Sequence, residues 1–275
     1  MSFLQNRPAS LNFAANRILR EIQSYLKTGT RQEEQTFWIR FDPENITEFQ
    51  VLIKGPKKTP YEGGFFHFSG KFPAKYPHSP PVMKFLTTGM GKQRLHPNLY
   101  ANGKICLSIL GTWPGPSWKC VMSLESVVLS IQSLLSENPI IHEPGFSEVN
   151  CDTTSALNYN RYVKYATLKY AVVEHVTGKS RLPCEFQDVV NDAAVLKSGG
   201  YYTRLFKNYV SEYTTQAGAM KEKNDLIFDK INEITDKKNY KEKFSPFDTY
   251  ISRLEINWDI LGNQIGEFDV GEDVL

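Results

Sequence analysis

Several things are scarce in this chain of 275 residues, and each scarcity narrows the chemistry open to it. The four cysteines, Cys106, Cys120, Cys151 and Cys184, lie far apart and form no C-x-x-C pair. The five histidines do not fall at ligand spacing around them, so no metal centre is expected. Neither sign of charge is in excess. The 32 basic and 30 acidic residues leave a net charge of +2, which disfavours nucleic acid as a partner. Long apolar runs are missing as well. The greasiest stretch, "VVLSIQSLL", is interrupted by serines and falls short of the roughly 20 residues a membrane helix needs, so no membrane role is expected. The opening "MSFLQNRPASLNFAAN" has no apolar signal-peptide region. That favours a reducing compartment, the cytosol with or without a nuclear pool. It also favours free thiols over the two disulfides an even cysteine count would permit.

What is present reads as a globular composition, 41% hydrophobic and 23% charged, in one large domain or a core with an appended region. Ala15, Ile18, Leu19, Ile22, Tyr25 and Leu26 recur at helical spacing, with Arg17, Arg20 and Lys27 off the stripe, and Thr28-Gly29 ends that helix. Strand-like alternation follows: Phe37, Ile39 and Phe41 in "TFWIRF", then Phe49, Val51 and Ile53 in "EFQVLIKGP". "YEGGFFHFSGKFP" and "PVMKFL" supply two more strands. Short spacing with tight turns predicts an antiparallel meander and not βαβ units. Ser123 suits the N-cap of a helix striped by Leu124, Val127, Val128, Ile131, Leu134 and Leu135, which Asn138-Pro139 stops. A further helix is expected from about Thr154 to Val176, closed by Gly178. The class is α+β, with helices on one sheet.

After Gly178 the strand signals vanish and an all-helical extension is expected over residues 179–275. One helix opens at Pro183 with Phe186, Val189, Val190 and Ala193 inward. A second is striped by Tyr202, Leu205, Phe206, Tyr209, Val210 and Tyr213. A third restarts at Ser245-Pro246 with Tyr250, Ile251, Leu254, Trp258 and Leu261. The charged stretch "KEKNDLIFDKINEITDKKNYKEKF" reads as solvated helix or linker, and the acidic end "GEFDVGEDVL" as a loose tail.

The chemistry concentrates in "HPNLYANGKICLSIL", where Cys106 follows a His-Pro-Asn turn and an Asn-Gly turn. Upstream stand a Y-x-G-G-x-F turn at Tyr61 and a P-x-x-Y-P-x-x-P-P segment at Pro73. These motifs, in this order and with the cysteine eight residues past Asn98, resemble the ubiquitin-conjugating enzymes, whose core would cover residues 9–178. "SILGTWPGPSW", "ENPIIHEPGF" and the helical extension are similar to the large, Z-type branch of that family.

The resemblance implies acyl transfer. Cys106 would take the ubiquitin C-terminus as a thioester from an activating enzyme that has consumed ATP, and a lysine amine would then attack it. A thiolate is both a strong nucleophile and a good leaving group, and no metal or organic cofactor is needed. The Z-type likeness implies charging by the second, non-standard activating enzyme, with a ubiquitin-like modifier as an open second cargo. Asn98 has two open roles: donor to the oxyanion of the tetrahedral intermediate, or loop support. His96 is expected to brace the turn, and Pro97 to preset Asn98. The family's acidic residue near the thioester is missing from its usual place, where Ile141 or His142 stands, and Ser108 replaces another aspartate. His142 is therefore a candidate base. Arg17 and Arg20 would dock the activating enzyme. The loops around Phe72–Pro81 and Trp113–Trp118 would meet ligases. Cys120, Cys151 and Cys184 lack comparable surroundings and read as structural or incidental. The rival readings are a non-catalytic binding variant, which would lack the cysteine, and a cysteine hydrolase, which would need an oriented His or Asp.

Overall fold

The computed structural model describes residues 9–28, 35–146, 153–180, 182–191, 200–212 and 258–267. Four antiparallel strands, β1 (Phe37–Phe41), β2 (Glu48–Lys54), β3 (Phe65–Lys71) and β4 (Val82–Phe85), form one meander in sequence order. Helix α1 (Ala9–Thr28) precedes them. After a long loop come α2 (Leu124–Leu134) and α3 (Thr154–Leu168), which runs through a π turn (Lys169–Val173) into α4 (Glu174–Val176). The extension contributes α5 (Cys184–Asn191), α6 over residues 201–212 and α7 (Trp258–Gly266). No described helix is long and apolar enough to cross a membrane.

The β2–β3 register sets Val51 opposite Phe68 and Leu52 opposite His67, so the two faces of the sheet alternate cleanly. One face, with Phe49, Val51, Ile53, Phe66 and Phe68, joins Ile18 of α1, Leu124, Val127, Val128 and Ile131 of α2, and α3 in the main core. Ser123 caps α2 as expected: its hydroxyl accepts from the Ser126 N–H, while the Ser126 hydroxyl accepts from the Ser123 N–H. The α3 segment is also as expected in extent, with Thr153 as N-cap and Gly178 at φ 68° beyond its end. The π turn within it carries no sequence signal we recognised.

Two features depart from the expected pattern. The α1 stripe is rotated: Ala14 and Ile18 are buried, whereas Leu19 and Leu26 are exposed. The Tyr25 hydroxyl accepts the Ile39 N–H at 2.8 Å and ties the helix to the edge strand β1. The sheet's second face is covered too. Phe186 and Val190 of α5 pack with Leu52, Phe65 and Trp38, and Arg40 pairs with Glu185 at 2.9 Å. Leu52, at a position alternation would leave to solvent, is thereby fully buried.

The described extension helices share the core and do not form a separate body. Tyr202, Leu205, Tyr209, Leu261 and Ile265 belong to the main cluster. The Tyr202 hydroxyl donates to the Gly63 carbonyl and Tyr201 to Glu62, both at 3.0 Å. Gly63 has φ +79°, which calls for glycine, and a Cβ there would lie a tight 3.0 Å from the Leu205 side chain. Cys151, Ala193, Tyr213, Tyr250, Ile251, Leu254, the charged stretch before Ser245 and the acidic tail past Glu267 lie outside the described residues.

Candidate active site

The site is assembled on residues 93–106, which buried tyrosines hold from below. The Tyr61 hydroxyl donates to the Leu95 carbonyl at 3.0 Å, and the Tyr162 hydroxyl to the Arg94 carbonyl at 3.1 Å. Burial raises the pKa of both Tyr61 and Tyr159 well above the ordinary phenol value, so they act as neutral core phenols. Beyond the His-Pro-Asn turn, Gly103 (φ +88°) closes a tight turn in which its N–H reaches the Tyr100 carbonyl at 2.9 Å. A Cβ at Gly103 would lie 2.8 Å from the Phe85 carbonyl oxygen, so the turn can sit against β4 only as glycine.

Asn98 and Cys106 are locked together. The Cys106 N–H donates to the Asn98 carbonyl at 2.8 Å, and Asn98 Nδ2 donates to the Cys106 carbonyl at 2.7 Å. The loop-support role of Asn98 is thus built into the resting geometry, with its amide directed at backbone. His96 is fully buried, and its Nδ1 accepts the Asn98 N–H at 2.8 Å. The ring proton therefore sits on Nε2, which faces Nδ1 of His142 at 3.1 Å. Burial, and then the neighbouring His142 and Arg94, hold the His96 pKa well below its usual value, so it is a neutral brace. His142 is also lowered, chiefly by burial, and its Nδ1 is committed to His96.

Two features of the geometry bear on the expected roles. Cys106, which the implied reaction requires to meet a protein partner, is only 1% exposed. The turns that present it also sink it. Arg17 is not a free docking cation. It bonds Glu21 at 2.6 Å and the carbonyls of Cys120 (3.2 Å) and Met122 (2.7 Å), while Glu21 also takes the Tyr76 hydroxyl and the Leu124 N–H. This hub fastens α1 to the start of α2. Arg20 does stand exposed on α1.

The sequence reading missed Arg94, Tyr100 and Glu143. The Arg94 and Glu143 side chains, 6% and 10% exposed, pair at 3.0 Å, and Arg94 also donates to the Pro97 carbonyl. Its guanidinium carbon lies 4.1 Å from the Tyr100 ring centroid. Burial raises the Glu143 pKa, against the pull of Arg94. The available signal was an acid one residue past His142, followed by Pro-Gly.

Of the remaining expected residues, Ser108 starts a short 3-10 turn (Ser108–Leu110) right after the cysteine. Thr112 stitches the long insertion back, donating to the Ile105 carbonyl at 2.6 Å and accepting the Leu107 N–H at 2.9 Å. Trp118 donates to the Pro77 carbonyl at 2.6 Å, which joins the insertion to the proline-rich loop. Cys120 and Cys184 are exposed free thiols; Cys120 lies 3.4 Å from His78 Nδ1.

A family model described as "Ubiquitin-conjugating enzyme" matches residues 17–168, which contain the whole of this site. The ubiquitin-conjugating enzyme E2 Z of Xenopus tropicalis is 44% identical over 174 residues, covering 63% of this chain and 54% of the relative. E2 Z of Homo sapiens is 44% identical over 167 residues, covering 61% and 46% respectively. A probable ubiquitin-conjugating enzyme, protein 17 of Caenorhabditis elegans, is 38% identical over 188 residues, covering 66% of this chain and 25% of that one. The chain spans about half the length of the E2 Z relatives it matches.

Proposed function

The chain belongs to the ubiquitin-conjugating enzyme family, and on that premise we propose that Cys106 is its acceptor nucleophile. The Cys106 thiolate attacks the thioester carbonyl of ubiquitin carried by an activating enzyme, and collapse of the tetrahedral intermediate expels that enzyme's thiol. A lysine amine then attacks the new thioester, the Cys106 thiolate leaves, and the amine proton passes to a base or to solvent. The supporting observation is the register of Asn98 and Cys106, closed by one backbone and one side-chain hydrogen bond within the span shared with the family. During attack the second N–H of the Asn98 amide can turn to the developing oxyanion.

The likeness to the E2 Z relatives supports the second, non-standard activating enzyme as donor, with a ubiquitin-like modifier as a further cargo and ligases directing transfer. Arg20 serves the docking face of α1, and Arg17 shapes that face through its carbonyl contacts. Free thiols suit the cytosol or nucleus. Incubation with activating enzyme, ubiquitin and ATP should give an adduct that a reducing agent removes. Cys106→Ala should abolish it, and Cys120→Ala, Cys151→Ala and Cys184→Ala should not. An adduct that survives Cys106→Ala would overturn the assignment.

A further inference from the structure

Asn98 is flanked on both sides by contacts of one side chain. The carbonyl just before it, that of Pro97, accepts a bond from Arg94 Nη2. The Tyr100 ring, two residues past Asn98, has its centroid 4.1 Å from the same guanidinium carbon. Nη2 carries a second N–H, and it reaches Glu143 Oε2 at 3.0 Å. Glu143 is itself set by backbone: its N–H donates to the Ile140 carbonyl and its carbonyl accepts the Phe146 N–H, both at 3.0 Å. The preceding His142 meets His96 at 3.1 Å, so two successive residues of the loop after α2 hold the His-Pro-Asn turn. The Arg94 main chain has its own support, since Tyr162 donates to its carbonyl. What the Arg94 side chain adds is the placement of the Pro97–Asn98 peptide. Glu143 stands one residue past His142, where the family's acid is missing, yet its side chain is 10% exposed and committed to Arg94. It is turned to the turn and not to an incoming lysine.

We propose that Arg94 and Glu143 are positioning residues for Asn98, a strut that carries the loop after α2 onto the Pro97–Asn98 peptide and aims the Asn98 amide for discharge of the Cys106 thioester. Neither residue touches the reacting atoms; both act through that peptide. A buried ion pair adds little net stability over an apolar pair of similar volume, which leaves geometry as what it supplies.

The test follows discharge of ubiquitin from the full chain to free lysine by pulse-chase, beside loading. Arg94→Met/Glu143→Leu removes both charges and leaves neither unpaired. Discharge should fall about tenfold, inside the roughly 100-fold that a displacement of about 1 Å can cost. Made in the Asn98→Ala background, the same two changes should lower discharge further by about twofold at most, because their route through Asn98 is gone. General loosening of the site would instead multiply with Asn98→Ala. Glu143→Gln keeps an acceptor for Arg94 and should retain most of the discharge. Arg94→Lys keeps the charge without the planar guanidinium and should fall between these two, again with little effect in the Asn98→Ala background. It carries the test if the double variant does not fold. Undiminished discharge in the double variant would overturn the strut, and so would a full tenfold loss from it in the Asn98→Ala background. Glu143→Gln as slow as the double variant would overturn it too, since the carboxylate would then be serving as a base. The proposal rests on Cys106 being the acceptor. If that assignment fails, the adduct survives Cys106→Ala. Failure of the strut shows only in the discharge of an adduct that Cys106→Ala abolishes.

Discussion

Residues 93–106 and the helices after Gly178 reach order by opposite means. The first take their turn geometry from polar bonds between near neighbours, Asn98 to His96, Asn98 to Cys106 and Gly103 to Tyr100, while Tyr61 and Tyr162 hold the segment from the core. The second are fixed by apolar burial on surfaces far away in sequence, with Tyr202 and Leu205 closing on Gly63 and Phe186 closing on Leu52 and Phe65. A polar turn can be read from a short string of residues, because the donors and acceptors lie within it. Burial depends on what arrives from elsewhere. The extension therefore reads in sequence as an all-helical appendage, whereas its described helices complete the core.

The most forceful way to break the comparison is truncation after Gly178. It strips Tyr202, Leu205, Tyr209, Leu261 and Ile265, each at most 8% exposed, from the main cluster and uncovers the second face of the sheet. Burial of one such side chain contributes roughly 1.5–3 kcal/mol, so the combined loss rivals the roughly 5–15 kcal/mol that holds a domain folded. We expect the truncated chain to lose its cooperative thermal transition and, with it, thioester formation. Near-UV circular dichroism and loading assays would check this. A truncated protein with an unchanged Tm and an altered choice between activating enzymes would mean that the extension serves recognition and not the core.

How far the sequence could be read follows the same division. The four strands, their order, the Ser123 cap and the Asn98–Cys106 pair were legible, since each rests on local period, local capping or a local motif. The orientation of α1 was not. Its apolar residues are wide enough to fit two rotations, and Tyr25 bonding to Ile39 selects one that leaves Leu19 and Leu26 outside. Leu52 was legible as strand and not as buried, because its cover lies past residue 178. Arg94 carried no pattern and Glu143 only its place before Pro-Gly; a salt bridge between distant positions has no period to betray it. The burial of Cys106 was not legible either, because exposure is set by the whole fold and not by the motif that holds the cysteine.

A narrower cut falls inside the local region. Asn98→Ala removes the bond from Nδ2 to the Cys106 carbonyl and leaves the backbone bond in place. Loss of one such bond costs about 1 kcal/mol, so Tm should drop by a few degrees. Loading should persist at a reduced rate. Discharge to free lysine should fall by about 100-fold if the amide also serves the oxyanion. Pulse-chase discharge beside loading separates the two roles. Equal loss in both steps would leave Asn98 as loop support alone.

The mildest perturbation is acid, and it acts where the two regions meet. Burial first of all holds the His67 pKa down to about 4, with the charge of His175 as the second cause. Burial likewise holds His175 to about 4, against its bond to the Phe65 carbonyl at 2.8 Å. His67 packs edge-on to Phe186, at 5.8 Å between centroids, so α5 rests on a neutral imidazole. Both rings are neutral in the folded protein and titrate near 6.5 when unfolded, so between about pH 6.5 and 4 the unfolded chain binds more protons. Stability should be flat above about pH 6.5 and fall as the pH drops through that window, by roughly 1 kcal/mol per histidine at pH 5.5. The carboxyls of Glu143, which is buried, and Glu174, which is half-buried, are raised by desolvation and oppose this trend, because a folded carboxyl of raised pKa gains protons first. Their effect belongs to the acid end of the window. His96 and His142 shift in the same direction as His67, so the wild-type curve alone does not locate the source. His175→Gln supplies the control: its amide can still donate to the Phe65 carbonyl and cannot titrate. Urea unfolding at pH 7.0 and 5.5 should show a smaller acid loss in this variant, while iodoacetamide alkylation of Cys106 at pH 5.5 matches the wild type. An identical acid loss in variant and wild type would mean that His175 is not the proton acceptor, and would leave His67 and the histidines of the catalytic segment as the source.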